Sequence, residues 1–374
     1  MKFVVDDKIP FIKGVLEPFG EVRYLPGKDV TPDDVKDADA LITRTRTKCN
    51  EDLLRDSSVK IIASATIGFD HIDTDWCEKS GVEWTNAPGC NSGSVKQYIA
   101  SVFSLLVLDK GIDVSALKIG VVGVGNVGSK VSELAALFGM KVFEIDPPRQ
   151  EKEPDKQFYS LNEVAGELDV ITFHTPLTRE GEHKTFHLFD EVLLQKLKKD
   201  VTIINSSRGE VVDNRVLKEA LKSGKVKQAV LDVWENEPDI DRELLDKIWM
   251  ATPHIAGYSQ DGKANGTMMS VHAVSKKLHL NIEEWKPSGV PQPENRVIEI
   301  DTAGLNDAEI ISKAVLHTYD ISNDDRALRD DPGKFEYLRG SYPVRREFFA
   351  YDVKLSEKRQ SVENRLSRLG FNVV

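Results

Sequence analysis

Short apolar runs alternate with polar segments of helical periodicity along about the first 95 residues. Five of these runs have the composition of strands, at residues 3–5, 22–24, 40–42, 61–63 and 82–84. Thr31, Pro32 and Asp33 have the features of a helix start, because proline is tolerated at the first helical position. Strands that alternate with helices form a parallel sheet flanked by helices. The pattern therefore predicts an α/β domain.

A second α/β region follows a long apolar helix, which we expect at about residues 93–108. It opens with an apolar strand, a glycine-rich turn, a helix and a second strand, at residues 118–122, 123–128, 129–138 and 141–145. Three more strands are predicted, at residues 170–173, 201–204 and 229–231. These strands would complete a doubly wound parallel sheet, which binds its ligand beyond the carboxyl ends of the strands.

Three connecting regions complete the pattern. Pro147, Pro148 and the charged run to Lys156 predict a loop, and a long helix at about residues 261–283 would return the chain to the first domain. Three prolines then mark a linker, at residues 287, 291 and 293. The last part of the chain should be a small α+β domain, with strands at 297–300 and 348–351 and helices near 307–317 and 355–369.

The glycine-rich turn reads Gly123-Val-Gly125-Asn126-Val127-Gly128, and the strand after it ends at Asp146. In a strand–turn–helix context the first glycine permits the tight turn, and the second lets the backbone approach a pyrophosphate. The third allows close packing of helix on strand, which places the anion at the helix N-terminus. Asp146 should accept hydrogen bonds from ribose hydroxyls and repel a 2′-phosphate, which favours NAD over NADP. Arg149 is a weak signal in the other direction.

Composition excludes several classes of function. The formal net charge of -11 and the pI near 5.4 argue against a nucleic-acid partner, because a phosphate polymer would be repelled. The longest apolar stretch, residues 98–108, is too short to span a membrane. Three isolated cysteines predict reduced thiols in the cytoplasm. His183 and His187 have metal-like spacing without an evident acidic or cysteine partner, so we expect no metal.

Three later motifs carry groups suited to oxidation of an alcohol. Arg208 and Glu237 follow predicted strands, and His254 comes shortly before the returning helix. A histidine can take the hydroxyl proton because its ordinary pKa lies near working pH. A carboxylate beside the imidazole would fix its tautomer and stabilise the cation. An arginine can hold a substrate carboxylate through two parallel hydrogen bonds.

The motifs resemble those of the D-isomer-specific 2-hydroxyacid dehydrogenase family, over roughly residues 1–285. The matching segments are residues 123–128, 205–209, 232–238 and 252–256. The resemblance implies a Rossmann domain and a flavodoxin-like α/β domain, with NAD as cofactor and Arg208, Glu237 and His254 as catalytic residues. It also implies cofactor contacts from Thr175, Ser206, Ser207, Arg208, Asp232 and Gly257.

A narrower resemblance concerns one branch of this family, which acts on a phosphorylated 2-hydroxy acid. It rests on residues 86–91, 174–177, 184–188 and 254–258, and on the C-terminal segment with Arg345-Arg346-Glu347. It implies substrate contacts from Thr45, Thr66 and Tyr258 and a homodimer formed through the C-terminal segment. Lys96-Gln97 departs from the branch, where we expect a more acidic helix start.

Three domains are therefore predicted. They are a substrate-binding domain at 1–95 and 256–285, an NAD-binding domain at 96–255 and a dimerisation domain at 286–374. Arg44 and Arg46, which flank Thr45 after a strand, are the candidates for binding the distal phosphate.

Two alternatives remain open from the residues. The first is another enzyme of the same family, acting on 3-phosphoglycerate, glyoxylate, hydroxypyruvate or D-lactate. The second is a non-catalytic NAD-sensing corepressor on the same fold. Intact Arg208, Glu237 and His254 favour an enzyme.

Overall fold

The computed structural model describes all 374 residues, which divide into two compact units. The first unit contains Met1–Asn91 and Tyr258–Gln292, and the second contains Ser92–Gly257 and Pro293–Val374. The strands are β1 (Lys2–Asp6), β2 (Glu21–Leu25), β3 (Ala40–Thr43), β4 (Ile61–Ser64), β5 (Glu83–Thr85), β6 (Lys118–Val122), β7 (Lys141–Ile145), β8 (Val170–Phe173), β9 (Val201–Asn205), β10 (Val226–Leu231), β11 (Met250–Ala251), β12 (Val297–Ile300), β13 (Asp352–Leu355) and β14 (Asn372–Val373).

The α-helices are α1 (Pro32–Val35), α2 (Glu51–Leu54), α3 (Thr74–Ser80), α4 (Ser92–Leu108), α5 (Gly128–Leu137), α6 (Pro147–Lys152), α7 (Leu161–Val164), α8 (Glu191–Lys196), α9 (Asn214–Lys222), α10 (Arg242–Lys247), α11 (Gln260–Leu278), α12 (Asp307–Thr318), α13 (Ile321–Asp330), α14 (Phe335–Gly340) and α15 (Gln360–Leu369). No helix is both long and apolar enough to cross a membrane.

The first unit is built on a five-stranded parallel sheet in the order β2-β1-β3-β4-β5, the order of flavodoxin-like folds. Strands β3 and β4 are buried along their whole length, because helices cover both faces of the sheet. Val271 and Val274 of α11 pack on one face, and Val35 and Cys77 pack on the other. The carboxyl ends of β1, β3 and β4 therefore lie side by side.

The second unit has a six-stranded parallel sheet in the order β11-β10-β9-β8-β6-β7. Strand β6 pairs with β7 on one side and β8 on the other, so the winding direction reverses at β6. Such a reversal opens a crevice at the carboxyl ends of the strands. The predicted doubly wound and flavodoxin-like sheets are both confirmed.

The C-terminal residues belong to the second unit and contain a small parallel sheet in the order β12-β13-β14. The edge strand β11 is covered by helix α13, where Asp325 accepts a hydrogen bond from the Ala251 amide at 2.7 Å. Coverage of this kind removes an exposed edge that could otherwise pair with another chain. The dimerisation role and the boundaries of three separate domains stay predictions.

Two element predictions were wrong. Residues 147–152 form α6 and not a loop, because two prolines occupy its first turn and Asp146 accepts from the Arg149 amide at 3.1 Å. Phe348–Ala350 is a short 3-10 helix, and the strand starts only at Asp352. The apolar run there reflects burial of Phe348 and Ala350 and not strand pairing.

The unexpected Gln97 on α4 has a structural explanation. Its side chain is fully buried, and its amide nitrogen donates to the Thr318 hydroxyl at 3.0 Å and the Arg346 carbonyl at 2.8 Å. A carboxylate at this position could not donate to the carbonyl. The departure from an acidic helix start therefore fits the packing of the C-terminal residues against α4.

Candidate active site

His254 and Glu237 form a hydrogen-bonded pair in the second unit. Nδ1 of His254 lies 2.7 Å from Oε2 of Glu237, and the other carboxylate oxygen accepts from the Trp234 amide at 2.9 Å. The two side chains are 32% and 19% exposed, so both are partly shielded from water. When Nδ1 donates its proton to the carboxylate in a hydrogen bond, Nε2 is the ring nitrogen of His254 that is left to accept a proton from a substrate.

The environment keeps Glu237 ionised. Burial works to raise the pKa of Glu237, but the hydrogen bond and charge of His254 outweigh it. The Trp234 amide and the charge of Arg339 act in the same direction, so the pKa of Glu237 lies below its usual value. A carboxylate that is ionised at neutral pH stabilises an imidazolium, which is what a histidine base becomes after it accepts a proton.

The turn that carries His254 is anchored by Asp232, which is almost fully buried. Its carboxylate accepts from the amides of Ile255 and Ala256 at 2.7 and 2.9 Å, and from the Thr252 hydroxyl at 2.7 Å. Burial raises the pKa of Asp232, against the opposing charge of His254. Its predicted contact with the cofactor stays a prediction. Gly257 follows this turn at the end of the segment.

The loop that carries Arg208 follows β9 and is held by Asn205. The Asn205 side chain donates to the Arg208 carbonyl at 2.8 Å and accepts from the Ser207 amide at 3.1 Å and hydroxyl at 2.9 Å. A Cβ at Gly209 would lie 2.0 Å from the Trp234 carbonyl oxygen, so glycine is required there. The Arg208 loop therefore packs directly against the segment that leads to Glu237.

The packing around the glycine-rich turn explains why glycine occupies three of its positions. Gly123 has a φ of +84°, and a Cβ there would lie 2.7 Å from the His174 carbonyl oxygen. A Cβ at Gly128 would lie 1.8 Å from the Gly123 carbonyl oxygen. At Gly125, by contrast, an added Cβ would meet no atom within 4 Å. Glycine at this position therefore avoids no clash within the protein, and it leaves open space beside the backbone. This is the space that an approaching pyrophosphate requires.

Three buried polar atoms beyond β8 and β9 have no hydrogen-bond partner within the protein. They are Nδ1 of His174, Oγ1 of Thr175 and Oγ of Ser206. Such orphaned atoms cost free energy unless a ligand or water satisfies them. Together with the glycine turn, they fit a dinucleotide with its hydroxyl and amide groups.

His174 was not predicted as a site residue, although Thr175 and Ser206 were. Burial lowers the pKa of His174 to about 3, so its ring is neutral at physiological pH. Its Nε2 atom lies 2.9 Å from the Thr172 hydroxyl. The position directly after a buried strand was the only sequence signal for this residue.

Asp146 and Arg149 lie beside the glycine turn. Asp146 accepts from the Val124 amide at 2.7 Å, and Arg149 donates to the Val124 carbonyl. Two nitrogens of Arg149 also donate to the two carboxylate oxygens of Glu153, both at 2.7 Å. Because its guanidinium is neutralised in this way, Arg149 is poorly placed to attract a 2′-phosphate.

The residues predicted to bind substrate lie in the first unit. Arg44, Thr45 and Arg46 follow β3, and Thr66 follows the neighbouring β4, so these residues share one edge of the sheet. Arg44 is half-buried, whereas Thr45 and Arg46 are exposed. The Thr66 hydroxyl donates to the Gly68 carbonyl at 3.1 Å.

Tyr258, the remaining substrate-binding prediction, begins the segment that leads into α11. It is half-buried, and the Lys263 ammonium lies 5.3 Å from the centre of its ring. A cation at this distance stacks favourably on an aromatic face. The structure therefore gives Tyr258 a basic neighbour.

The two histidines with metal-like spacing each have an acidic partner, contrary to the sequence-based interpretation. Nε2 of His187 lies 2.7 Å from Glu235, and Nε2 of His183 lies 2.9 Å from Glu151. The two histidines thus serve separate pairs. Potential ligand atoms of Glu151, Glu182 and His183 lie within 4.8 Å of one another, and both glutamates are exposed.

Two known sequence families match separate parts of this chain. Residues 107–256 match the family described as D-isomer specific 2-hydroxyacid dehydrogenase, NAD binding domain. Residues 291–370 match a domain of unknown function, DUF3410. The predicted NAD cofactor and the dehydrogenase class are confirmed by the first match.

Two solved structures share the fold over about three quarters of the chain. A D-lactate dehydrogenase from Aquifex aeolicus, complexed with NAD and lactic acid, is 27% identical with a TM-score of 0.63, covering 76% of this chain and 97% of its own. An NAD+-bound 3-phosphoglycerate dehydrogenase from Entamoeba histolytica is 25% identical with a TM-score of 0.63, covering 77% and 99%.

Curated relatives are similar over almost the full length. An erythronate-4-phosphate dehydrogenase from Bacteroides fragilis is 50% identical over 96% of this chain and 100% of its own. Enzymes of the same name from Porphyromonas gingivalis and Proteus mirabilis are 40% and 37% identical, covering 94% and 100% of this chain and 95% and 99% of their own. The chain belongs to the family of the erythronate-4-phosphate dehydrogenases, among the D-isomer specific 2-hydroxyacid dehydrogenases.

Proposed function

We propose that the protein oxidises the C2 hydroxyl of 4-phospho-D-erythronate to give 2-oxo-3-hydroxy-4-phosphobutanoate, with NAD as the oxidant. The observation that carries the proposal is the 2.7 Å pair of His254 and Glu237, which is a base with its supporting carboxylate. The name of the 50% identical relative supports the choice of substrate. By the branch resemblance, we also propose that this step belongs to the synthesis of pyridoxal 5′-phosphate.

His254 is the general base in this proposal. Its Nε2 atom accepts the C2 hydroxyl proton while its Nδ1 proton stays hydrogen-bonded to Glu237. The lowered pKa of Glu237 means that the carboxylate remains charged and stabilises the imidazolium that results. Bound NAD supplies the acceptor for the hydride that leaves C2.

Arg208 binds the substrate carboxylate. Its guanidinium offers two parallel donors to a carboxylate, which would fix the orientation of C2 as well as attract the anion. The Asn205 side chain is hydrogen-bonded to the Arg208 carbonyl, and the backbone at Gly209 packs closely against that of Trp234. This pre-organisation reduces the entropy lost on substrate binding.

The distal phosphate is assigned to the sheet edge of the first unit. Arg44 and Arg46 supply two positive charges there, and Thr45 and Thr66 supply hydroxyls. Phosphate oxygens are strong acceptors that bind arginine through charge-assisted hydrogen bonds. Tyr258 is the further substrate contact in this proposal.

The cofactor is assigned to the carboxyl edge of the second sheet. The backbone of the turn at Gly123, Gly125, Asn126, Val127 and Gly128 would approach the pyrophosphate at the start of α5, and Asp146 would bind the adenosine ribose. The orphaned hydroxyls of Thr175 and Ser206 would be satisfied by the same ligand. Ser207, Asp232 and Gly257 complete the proposed lining of this site.

The C-terminal residues are proposed to form a homodimer. Three large apolar side chains within a short stretch are more than half exposed, namely Tyr337 at 65%, Val344 at 52% and Phe349 at 53%. Exposed apolar groups mark an interaction surface where they form a contiguous patch, and the proposal is that these three do so. Sedimentation of the wild type and of the triple variant Tyr337→Ser, Val344→Ser, Phe349→Ser tests this, because only the wild type should be dimeric.

A substrate panel tests the proposed reaction. NADH formation is followed with 4-phospho-D-erythronate, D-erythronate, 3-phospho-D-glycerate and D-lactate, and NADH consumption is followed with glyoxylate. We expect the highest kcat/KM with 4-phospho-D-erythronate. A higher value with 3-phospho-D-glycerate or D-lactate would move the protein to another substrate of its family, and no turnover with any of them would favour the NAD-sensing corepressor.

A further inference from the structure

Arg345 lies in the C-terminal residues that match a domain of unknown function, and it contacts the turn that carries His254. Its side chain is almost fully buried, and one guanidinium nitrogen donates to the Ala256 carbonyl at 2.6 Å and to the Ile255 carbonyl at 3.2 Å. These carbonyls belong to the two residues after His254. A residue ninety positions away in sequence is thus hydrogen-bonded next to the proposed base.

The same two residues are also held by a second charged side chain. Asp232 accepts from the Ile255 and Ala256 amides, while Arg345 donates to their carbonyls. Three consecutive peptide units after His254 therefore have a charged partner. Their positions are fixed by one acid from the nucleotide-binding sheet and one arginine from the C-terminal residues.

The turn requires such support because His254 has a left-handed backbone, with a φ of +57°. Residues other than glycine rarely adopt this conformation, and it persists only where the surrounding structure over-determines it. The backbone angle sets the direction in which the imidazole leaves the chain. A relaxed turn would therefore move the ring away from Glu237.

Arg345 is itself held firmly by aromatic neighbours. Its guanidinium carbon lies 4.4 Å from the ring centre of Tyr319 and 5.6 Å from that of Tyr342. Both tyrosine hydroxyls donate to one carboxylate oxygen of Asp324, at 2.8 and 2.7 Å. The C-terminal residues thus present the guanidinium in a single orientation toward the His254 turn.

We infer that Arg345 is a positioning residue, which braces the Ile255–Ala256 carbonyls and so aligns the His254 imidazole with Glu237 for proton transfer. The inference rests on the proposed role of His254 as the base. Arg345 reaches the backbone of the turn and acts on the reaction only through it. Its loss should consequently lower kcat and leave substrate binding nearly unchanged.

Arg329 provides a matched control within the same C-terminal residues. Its guanidinium donates to the Leu245 and Ile248 carbonyls at 2.6 and 3.0 Å, which lie outside the His254 turn. For Arg345→Met we expect kcat to fall roughly 10- to 100-fold, since small misplacement of a catalytic group has effects of this size, with KM changed less than about threefold. Arg329→Met should keep kcat within about twofold while losing thermal stability.

A measurement independent of turnover examines the His254–Glu237 pair itself. The low-field proton resonance of His254 Nδ1 is identified by its absence from the His254→Gln spectrum. We expect this resonance to disappear in Arg345→Met through exchange with water and to persist in Arg329→Met. If the wild type oxidises no 2-hydroxy acid, the proposed function fails, and the resonance still decides whether Arg345 holds the pair.

Arg345→Lys covers the case in which the methionine variant does not fold. One ammonium group lacks the fork of donors and the planar stacking of a guanidinium, so kcat should still fall at least about fivefold. A folded Arg345→Met or Arg345→Lys with kcat within about twofold of wild type and an unchanged resonance would overturn the inference.

Discussion

The Nδ1 atom of His254 donates to the Oε2 atom of Glu237 at 2.7 Å, across a loop that also brings the backbone of Trp234 into the pair. The two residues come from different connections of one sheet, after β10 and after β11. Because parallel strands end at the same edge, the fold brings together groups that are seventeen positions apart in sequence. Each function predicted for the pair can be removed separately.

Replacing the base should abolish most of the activity without unfolding the chain. For His254→Gln we expect kcat to fall by about 10²- to 10⁴-fold, the usual loss when general base assistance is removed. NADH formation at saturating substrate measures the change. His317→Gln is the control, since His317 is exposed on α12 and its Nε2 atom is hydrogen-bonded to the Asn295 carbonyl, away from the His254 turn. Near-normal kcat in a folded His254→Gln would exclude His254 as the base.

The pH dependence of stability should report the ionised state of Glu237. Its pKa is lowered in the fold, so its contribution is fully present above the unfolded value of about 4.3 and is lost as pH falls through the folded value. Glu237→Gln lacks this titration. The difference in unfolding free energy between wild type and variant should therefore be largest near neutral pH and shrink as the pH falls below the unfolded value toward the lower folded one.

Urea denaturation midpoints at several pH values measure this difference. Asp331→Asn is a useful comparison, because the pKa of Asp331 is also lowered, by Lys334, but on the exposed surface. Its effect on stability should be small. A difference for Glu237→Gln that stays constant over the whole acidic range would contradict the ionised pairing.

Substitution at Gly209 should disrupt the contact between the Arg208 loop and the segment leading to Glu237. The added methyl group of Gly209→Ala would meet backbone atoms of Trp234 and Glu235, which cannot move aside as a flexible side chain can. We expect a loss of roughly 1–3 kcal/mol in unfolding free energy, as for other overpacked sites, and a lower kcat.

Gly166→Ala is the matched control for this substitution. A Cβ at Gly166 would lie 3.5 Å from the Lys196 carbonyl oxygen, which is ordinary van der Waals contact. Stability and kcat should both stay close to wild type. Equal losses of stability and kcat in the two variants would show that the effect of Gly209→Ala does not come from the clash with Trp234 and Glu235.

The alternation of apolar and polar segments was sufficient to predict both large sheets, except for the two-residue edge strand β11. It also placed Arg208 and Asp232 directly after strands, because a buried parallel strand is read as a short apolar run bounded by polar residues. Helix α6 was missed because two adjacent prolines resemble a loop, although both fit in the first turn of a helix. The correct predictions came from the apolar and polar periodicity within single strands and helices.

The contacts of the C-terminal residues could not be predicted in this way. Arg345 and Ala256 are linked by a hydrogen bond over eighty-nine positions, and no periodicity in either segment indicates the partner. His174 was missed for a related reason, since only the structure shows a buried ring nitrogen without a partner. Tertiary contacts between single polar groups can be identified only from the three-dimensional structure.

The arginines after β3 should discriminate between phosphorylated and unphosphorylated substrates. For Arg44→Ala and Arg46→Ala, kcat/KM should fall more for 4-phospho-D-erythronate than for D-erythronate, because only the former carries the distal phosphate. A charge-assisted contact contributes about 1.5–3 kcal/mol, which corresponds to roughly 10- to 100-fold. Arg55→Ala on the same unit is the control, since Arg55 is exposed and pairs with Glu51 at 3.2 Å. Equal losses on both substrates would remove the phosphate role.

Cofactor choice should depend on Asp146 and on the pairing of Arg149. In the wild type, Asp146 should repel a 2′-phosphate, and Arg149 is occupied by two hydrogen bonds to Glu153. Glu153→Gln removes the charge that neutralises Arg149, so kcat/KM with NADP should rise several-fold, and Asp146→Ser with Glu153→Gln should raise it further. Activity with NAD should fall in the double variant, since the ribose acceptor is lost.

Steady-state kinetics with both cofactors measure the ratio, and Glu163→Gln, on the surface of α7, controls for a general change of charge. A wild type that prefers NADP, or a double variant with an unchanged ratio, would show that these two side chains do not select the cofactor.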